Sequence, residues 1–380
     1  MKKPFRMPAL SALALIAWPL CFAVAVGQTG PSPVPVLSPA WSATVPLGNA
    51  DPQRWRRAKP AFSYDGTCIA TAGNGEARVI SSQGRTLWKW NYGAINRFIG
   101  AGSVVVSPPC DAIAIGGDSS YKYVWIAEKN GHKTFIPFPS TPVGVAFSRD
   151  GKSLAVSSGS ARLYLFTRDG KERWSTPPYS VGLSSDISFS PDGEFILIHD
   201  GGAIVRIDGS IVADLRGVYM SISANLQTIV TSWEPPHGPG PGNVTVWDQA
   251  GKELFTNFSD DPRGVITPDG DRIIARVNID QEPPEGEFYE PRETALRMFS
   301  RDGKELEGFP NLDGRPVAIS PDGKTVLLET GGSLDAIDLT GKRLYSIAVS
   351  PNMYIIAPDF SAVVVFSWGS DGDLEYFKLP

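Results

Sequence analysis

The sequence predicts an all-β protein in which a four-stranded unit repeats eight times around a closed ring, and three observations carry that prediction. A Ser/Thr-Pro-Asp-Gly turn recurs along the chain, and a second turn built on Gly and a basic residue falls between its copies. No stretch longer than about ten residues keeps a helical period.

The first turn is intact at Ser190-Pro191-Asp192-Gly193, Thr267-Pro268-Asp269-Gly270 and Ser320-Pro321-Asp322-Gly323. Variants at Ser63-Tyr64-Asp65-Gly66, Ser107-Pro108-Pro109, Ser148-Arg149-Asp150-Gly151, Ser223-Ala224-Asn225 and Ala357-Pro358-Asp359 bring the number to eight. Pro presets φ, Asp bonds neighbouring amides and Gly accepts the positive φ that ends a tight hairpin. The second turn reads clearly at Gln83-Gly84-Arg85, Asp169-Gly170-Lys171, Ala250-Gly251-Lys252, Asp302-Gly303-Lys304 and Thr340-Gly341-Lys342, and weakly at Asn130-Gly131-His132 and Asp208-Gly209-Ser210. Short runs rich in Val, Ile, Leu and Tyr lie between the turns, as at Val317 to Ser320, Thr325 to Glu329, Leu334 to Asp338 and Leu344 to Ile347, and these are strand signals.

Four short strands repeated every 40-odd residues make a β-propeller blade. Eight blades are expected; seven is the alternative, because the units at 190–217 and 262–310 are irregular in length. The chain ends directly after the third strand of its last unit, Leu374 to Leu379, whereas Trp41 to Pro46 has no partner of its own and looks like the outer strand at Trp174-Ser175-Thr176-Pro177. The N-terminal strand is therefore expected to complete the last blade and close the ring.

These features resemble the WD-repeat-like and quinoprotein-like (PQQ-like) propeller superfamilies over residues 40–380. The first likeness lies in the Ser-Pro-Asp-Gly hairpins and Val244-Thr245-Val246-Trp247-Asp248, the second in the Gly-Lys-x-Leu-Trp endings. The resemblance implies an architecture and leaves function open, since propellers host many chemistries. One Trp-Asp dipeptide closes a strand, no Gly-His repeats, and the vicinal cysteine pair of the cofactor-binding quinoproteins is absent, so no quinone or other cofactor is expected.

Lys2, Lys3 and Arg6 precede an uncharged apolar run from Ala9 to Val26, the layout of a secretory signal peptide. Cleavage is expected before Gln28, with Ala23 and Ala25 as the other small-residue option. Residues 1–27 are then the signal peptide, 28–39 a stiff Pro-rich linker and 40–380 the propeller. A lipid anchor at Cys21 is disfavoured by Trp18-Pro19-Leu20, which lacks the small residues of a lipobox. No later stretch is apolar enough to span a bilayer. Removal of 1–27 leaves 32 Lys and Arg against 40 Asp and Glu, a net charge of −8, which argues against nucleic acid and anionic membranes. The mature chain keeps Cys68 and Cys110, read here as packing residues with one bridge as the alternative.

Connections between second and third strands, and between blades, must lie on the face opposite the tight turns. Two of them are long: 233–242 in the fifth unit and 280–291 in the sixth. Long loops on a rigid scaffold carry function, so Trp233, His237, Glu282, Glu285, Phe288 and Tyr289 are the candidate binding residues. The alternative is a pair of solvated insertions with no ligand. Trp88, Trp90, Tyr92, Phe135, Phe138, Tyr179, Phe258 and Phe309 are expected to fill the wedges between blades. Asp118, Asp200, Asp371 and Asp373 offer carboxylates near the channel, but no calcium-loop spacing supports a metal there. His132, His199 and His237 lie in separate repeats, and there is no Gly-x-Ser-x-Gly elbow, Walker loop or dinucleotide fingerprint.

The function expected is an exported, extracytoplasmic, monomeric, non-catalytic propeller that binds a protein or glycan through its long-loop face, in the manner of envelope assembly-factor propellers. The alternative is a channel-centred enzyme, a lyase or glycoside hydrolase with carboxylates from several blades. Convergent perturbed carboxylates would favour the enzyme, and a channel lined by Val, Ser and Gly the scaffold.

Overall fold

The computed structural model describes residues 34–47, 58–73, 75–93, 101–117, 122–178, 186–199, 202–215, 217, 219–234, 241–280, 292–306, 309, 312–350, 353–367 and 369–380. The expected signal peptide, 1–27, lies outside them. Residues Val34–Pro380 form one compact unit.

Eight antiparallel sheets follow one another along the chain, at 61–91, 101–137, 142–175, 187–214, 219–259, 263–305, 315–348 and 354–378. Each is a meander in which successive strands pair, so the two hairpin turns of a blade share one face of the ring. First strands pack against one another around the centre from blade one to blade four and from blade five to blade seven, and that of blade eight packs against that of blade one. Seven sheets have four strands. In blade six the outer strand is reduced, among the described residues, to a bridge between Phe299 and Glu305.

Both turn motifs fold as their chemistry dictates. In all eight copies of the first, the carbonyl of the opening residue accepts the N–H of the fourth, from Gly66 to Ser63 through Phe360 to Ala357. The fourth residue has φ between +58° and +81° each time, whether it is Gly or, as at Cys110, Leu226 and Phe360, a residue with a Cβ. The opening hydroxyl reaches the side chain of the third residue at 2.5 to 2.7 Å in six turns. All seven copies of the second turn close the same way, from Gly84 to Ser81 through Gly341 to Asp338.

The second turn's Gly also lets blades dock. Trp41 lies over Gly84, where a Cβ would come within 2.9 Å of the indole, and its Nε1 donates to the carbonyl of Ser82 at 2.9 Å. Trp174 repeats this over Gly209, donating to Ile207 at 2.9 Å. These outer-strand tryptophans lock blade eight to blade one and blade three to blade four. Trp90, Tyr92, Phe138 and Phe309 are buried between blades as expected, but Phe135 is half exposed. Tyr179 lies outside the described residues.

The ring closes through its N-terminal strand. Trp41–Leu47 pairs with Gly369–Lys378, from Trp41 opposite Tyr376 to Leu47 opposite Gly369, as the outer strand of blade eight. One apolar cluster then joins Val364 and Leu374 of blade eight to Ile69 and Ile80 of blade one.

Cys68 and Cys110 correct the sequence reading: they are disulfide-bonded, with Cα atoms 6.2 Å apart across 42 residues. Cys68 opens the second strand of blade one, and Cys110 fills the Gly position of the first turn in blade two. Adjacent turns of adjacent blades pack together, which brings the two side chains into bonding range although the sequence shows no pairing.

The turn carboxylates couple stability to pH. The Thr267 hydroxyl and then the Asp271 amide hold Asp269 below the ordinary carboxylate range. Asp322 is lowered first by the Ser320 hydroxyl, and at Asp150 burial pushes up but the Ser148 hydroxyl and Lys152 amide outweigh it. A carboxyl lowered by folding adds stability that is full above its unfolded pKa and is lost as pH falls through the folded one. The melting temperature is therefore expected to hold from pH 7 to about pH 5 and to fall below about pH 4, with a shallower fall in Thr267→Val. A protein that melted higher at pH 3 than at pH 6 would show that these turns do not control its acid stability.

Candidate functional site

Every first strand runs from the long-loop face toward the turn face, so its first residue sits at the mouth of the channel. Around the ring these residues are Ala61, Ala101, Pro142 and Ile187, and then Tyr219, Arg263, Arg315 and Tyr354. One half of the mouth is small or apolar. The other, from blade five to blade eight, is an arc of tyrosine and arginine.

The arc is held rigidly. The Arg263 guanidinium stacks on the Tyr219 ring, 3.3 Å from its centroid, and pairs with Glu234 at 2.9 Å. Asp261, in the connection between blades five and six, takes Arg315 at 2.6 Å and Arg276 at 3.2 Å. Arg276 reaches Asp313 as well, at 2.5 Å. The Tyr354 hydroxyl donates to Glu329 at 2.8 Å. Burial first, and then the Glu329 charge, push the Tyr354 phenol far above its ordinary pKa, while Arg263 and Arg315 pull it down. Tyr354 is thus a fixed neutral donor. Asp261 raises Arg315 above its ordinary value, so the guanidinium stays charged.

Tyr219 keeps 41% of its surface exposed and Ile279, at the foot of the blade-six insertion, 50%. That insertion is clamped at its stem: Ile279 N–H donates to the Glu293 carbonyl at 2.9 Å, and the Arg292 amide to Asp260 at 2.6 Å. Trp233 ends the second strand of blade five, half-buried opposite Asn243, at the foot of the other insertion. Of the candidate binding residues only Trp233 is described; His237, Glu282, Glu285, Phe288 and Tyr289 lie outside the described residues. The feet of both loops stand on the mouth face, beside the arc.

Below the mouth the first strands supply mainly small and aliphatic groups, such as Val105, Gly144, Ser188, Ser221, Gly264 and Ala318. His199 ties blade four to blade five through Ser188 Oγ at 2.8 Å and the Met220 carbonyl at 3.2 Å. Asp373 lies on the third strand of blade eight beside Thr44 of the outer strand, away from the channel; Asp118 and Asp200 are outside the described residues. Among the described residues no group of three or more His, Cys, Asp or Glu is placed to hold a metal ion, and no helix is long and apolar enough to cross a membrane.

Sequence reasoning missed Tyr219, Arg263, Arg315 and Tyr354. They are strand-opening residues in four different repeats, and only superposing the repeats in phase would have set them side by side.

No family model and no curated protein matches the chain. Among solved structures, BamB from Moraxella catarrhalis is similar at 14% identity with a TM-score of 0.57, covering 90% of this chain and 100% of that one. Hydrazine synthase from Kuenenia stuttgartiensis aligns at 16% identity with a TM-score of 0.47, over 73% of this chain and 94% of that one. At such identities the likeness is one of fold: the chain is an eight-bladed β-propeller closed by its N-terminal strand.

Proposed function

We propose that this propeller is exported and acts outside the cytoplasm as a non-catalytic binding module that takes a protein partner on its long-loop face. The observation that carries this reading is the Tyr219, Arg263, Arg315 and Tyr354 arc, standing on the same face as the feet of the two insertions. Tyr and Arg are the side chains that most often anchor interfaces, being large, flat and inexpensive to order, and here both are immobilised in advance.

The charged N-terminus and apolar run support export, as does the Cys68–Cys110 bridge, because disulfides persist in oxidising compartments. The enzyme alternative needs free carboxylates at the mouth. Asp261 and Glu234 are instead neutralised by arginines and Glu329 is bonded by Tyr354.

The mature protein is expected to capture a partner from envelope extract that is lost when 235–240 and 281–291 are cut to Gly-Ser turns, and weakened at least about tenfold in Arg263→Ala. If intact and altered proteins capture the same set, this face is not the binding surface.

A further inference from the structure

The flank of blade seven holds a second site, apart from the mouth. In its third strand, Ser333–Asp338, Leu334 and Ala336 pack toward blade eight with Val363, while Ile337 packs toward blade six with Ile274 and Met298. Strand alternation puts Asp335 on the blade-six side, where the outer strand of blade six is reduced to one bridge among the described residues. Asp335 is only 5% exposed. Its two short hydrogen bonds both fall on Oδ1, from the hydroxyls of Ser333 and Ser346 at 2.7 Å each. Among the described residues Oδ2 meets only Arg343 Nε, at 3.4 Å. An ionised carboxylate oxygen accepts about two bonds, so Oδ2 has capacity left.

The N-terminal segment roofs this place. Val36 bridges Ser346 in parallel, Leu37 N–H donates to the Ser346 carbonyl at 2.8 Å, and Ser346 N–H donates to Pro35 at 2.9 Å. Leu37 turns into the core between blades seven and eight, which leaves Val34 and Val36 on the other side. Under them lies a cavity of about 340 Å³ whose walls include the two valines, Asp335, Arg343 and Asp313.

We propose that this cavity binds a single neutral sugar ring. Its volume is at the small end of the range for ligand pockets, about 300 to 1,000 Å³. Each carboxylate is already balanced by a guanidinium, Asp335 by Arg343 and Asp313 by Arg276, which disfavours an amine or a phosphate as the ligand. Neighbouring hydroxyls match the polar wall: one donates to Asp335 Oδ2 and the next accepts from Arg343, whose side chain is 48% exposed. The valine roof covers the C–H face of the ring.

Saturation-transfer NMR and calorimetry on the mature protein would use glucose, galactose, mannose and N-acetylglucosamine, with glucosamine and glucose 6-phosphate as charged comparators. At least one neutral sugar is expected to bind. Its affinity should fall about tenfold or more in Arg343→Ala and in Val36→Trp, which fills the cavity from a position 69% exposed and should leave the melting temperature unchanged. Absence of neutral-sugar binding at about 10 mM, equal binding of the charged comparators, or binding that survives Val36→Trp would each overturn the site. Trimming the mouth loops should leave sugar binding intact, so this test and that of the mouth fail independently.

Discussion

Removal of residues 40–47 is expected to abolish the single cooperative unfolding transition of the ring. This strand is the outer strand of blade eight, and it is also the seam with blade one. Val45 is buried between the two blades. The Trp41 ring stacks on Tyr376 with centroids 5.1 Å apart and planes 9° from parallel, lies over Gly84, and bonds Ser82. Without the strand, the third strand of blade eight presents an unpaired edge and the blade-one surface under Trp41 is wetted. An open propeller of this kind frays from its ends, so it should unfold in more than one step and aggregate through the new edge. Single substitutions grade the effect. Trp41→Ala should cost about 3 kcal/mol from lost packing of a half-buried indole, and Trp41→Phe, which keeps the stack and loses the bond to Ser82, about 1 kcal/mol. Urea unfolding followed by two probes is the measurement, and a truncated protein that unfolds like the intact one would disprove closure by this strand.

That strand was legible because a propeller has to balance its strands, and the chain supplied eight first turns and seven second turns. Turn chemistry is local: the residue types that need positive φ or bond their own amides declare themselves within four positions. Even the degenerate copies fold true, Leu226 and Phe360 taking the left-handed conformation that Gly takes elsewhere, because the surrounding hairpin outvotes the single residue. The mouth was not legible for the opposite reason. Arg276 and Arg315 are 39 positions apart in sequence and meet through Asp261, which belongs to neither strand. Charge pairs between repeats leave no periodic trace. The docking of the expected linker onto blade seven was hidden too, since Val34 to Leu37 carries no strand pattern beyond its prolines and finds its partner, Ser346, at the other end of the chain.

Breaking the Cys68–Cys110 bond is expected to be the other large perturbation. A bridge across 42 residues restricts the unfolded chain by about 4 kcal/mol in the loop-entropy treatment. It ties the first two blades at their turn face, where Trp88 Nε1 also donates to the Cys110 carbonyl at 2.7 Å, so the seam should loosen without dissolving when the bond is cut. The two cysteines are not equivalent in the folded protein. Cys68 is fully buried, and a serine there adds a desolvated hydroxyl to the loss of the bond. Cys110 holds φ at +58°, a conformation that costs a residue with a Cβ about 1 kcal/mol and glycine nothing. Cys110→Gly should therefore be less destabilised than Cys110→Ser by about 1 kcal/mol, and both more so than a variant that keeps the bridge. Urea midpoints with and without dithiothreitol, read beside a count of free thiols, separate the contributions. If the oxidised protein shows no free thiol in the unfolded state and reduction leaves its midpoint unmoved, the bond constrains nothing that folding does not already fix, and the seam between blades one and two rests on Trp88 and the packed turns alone.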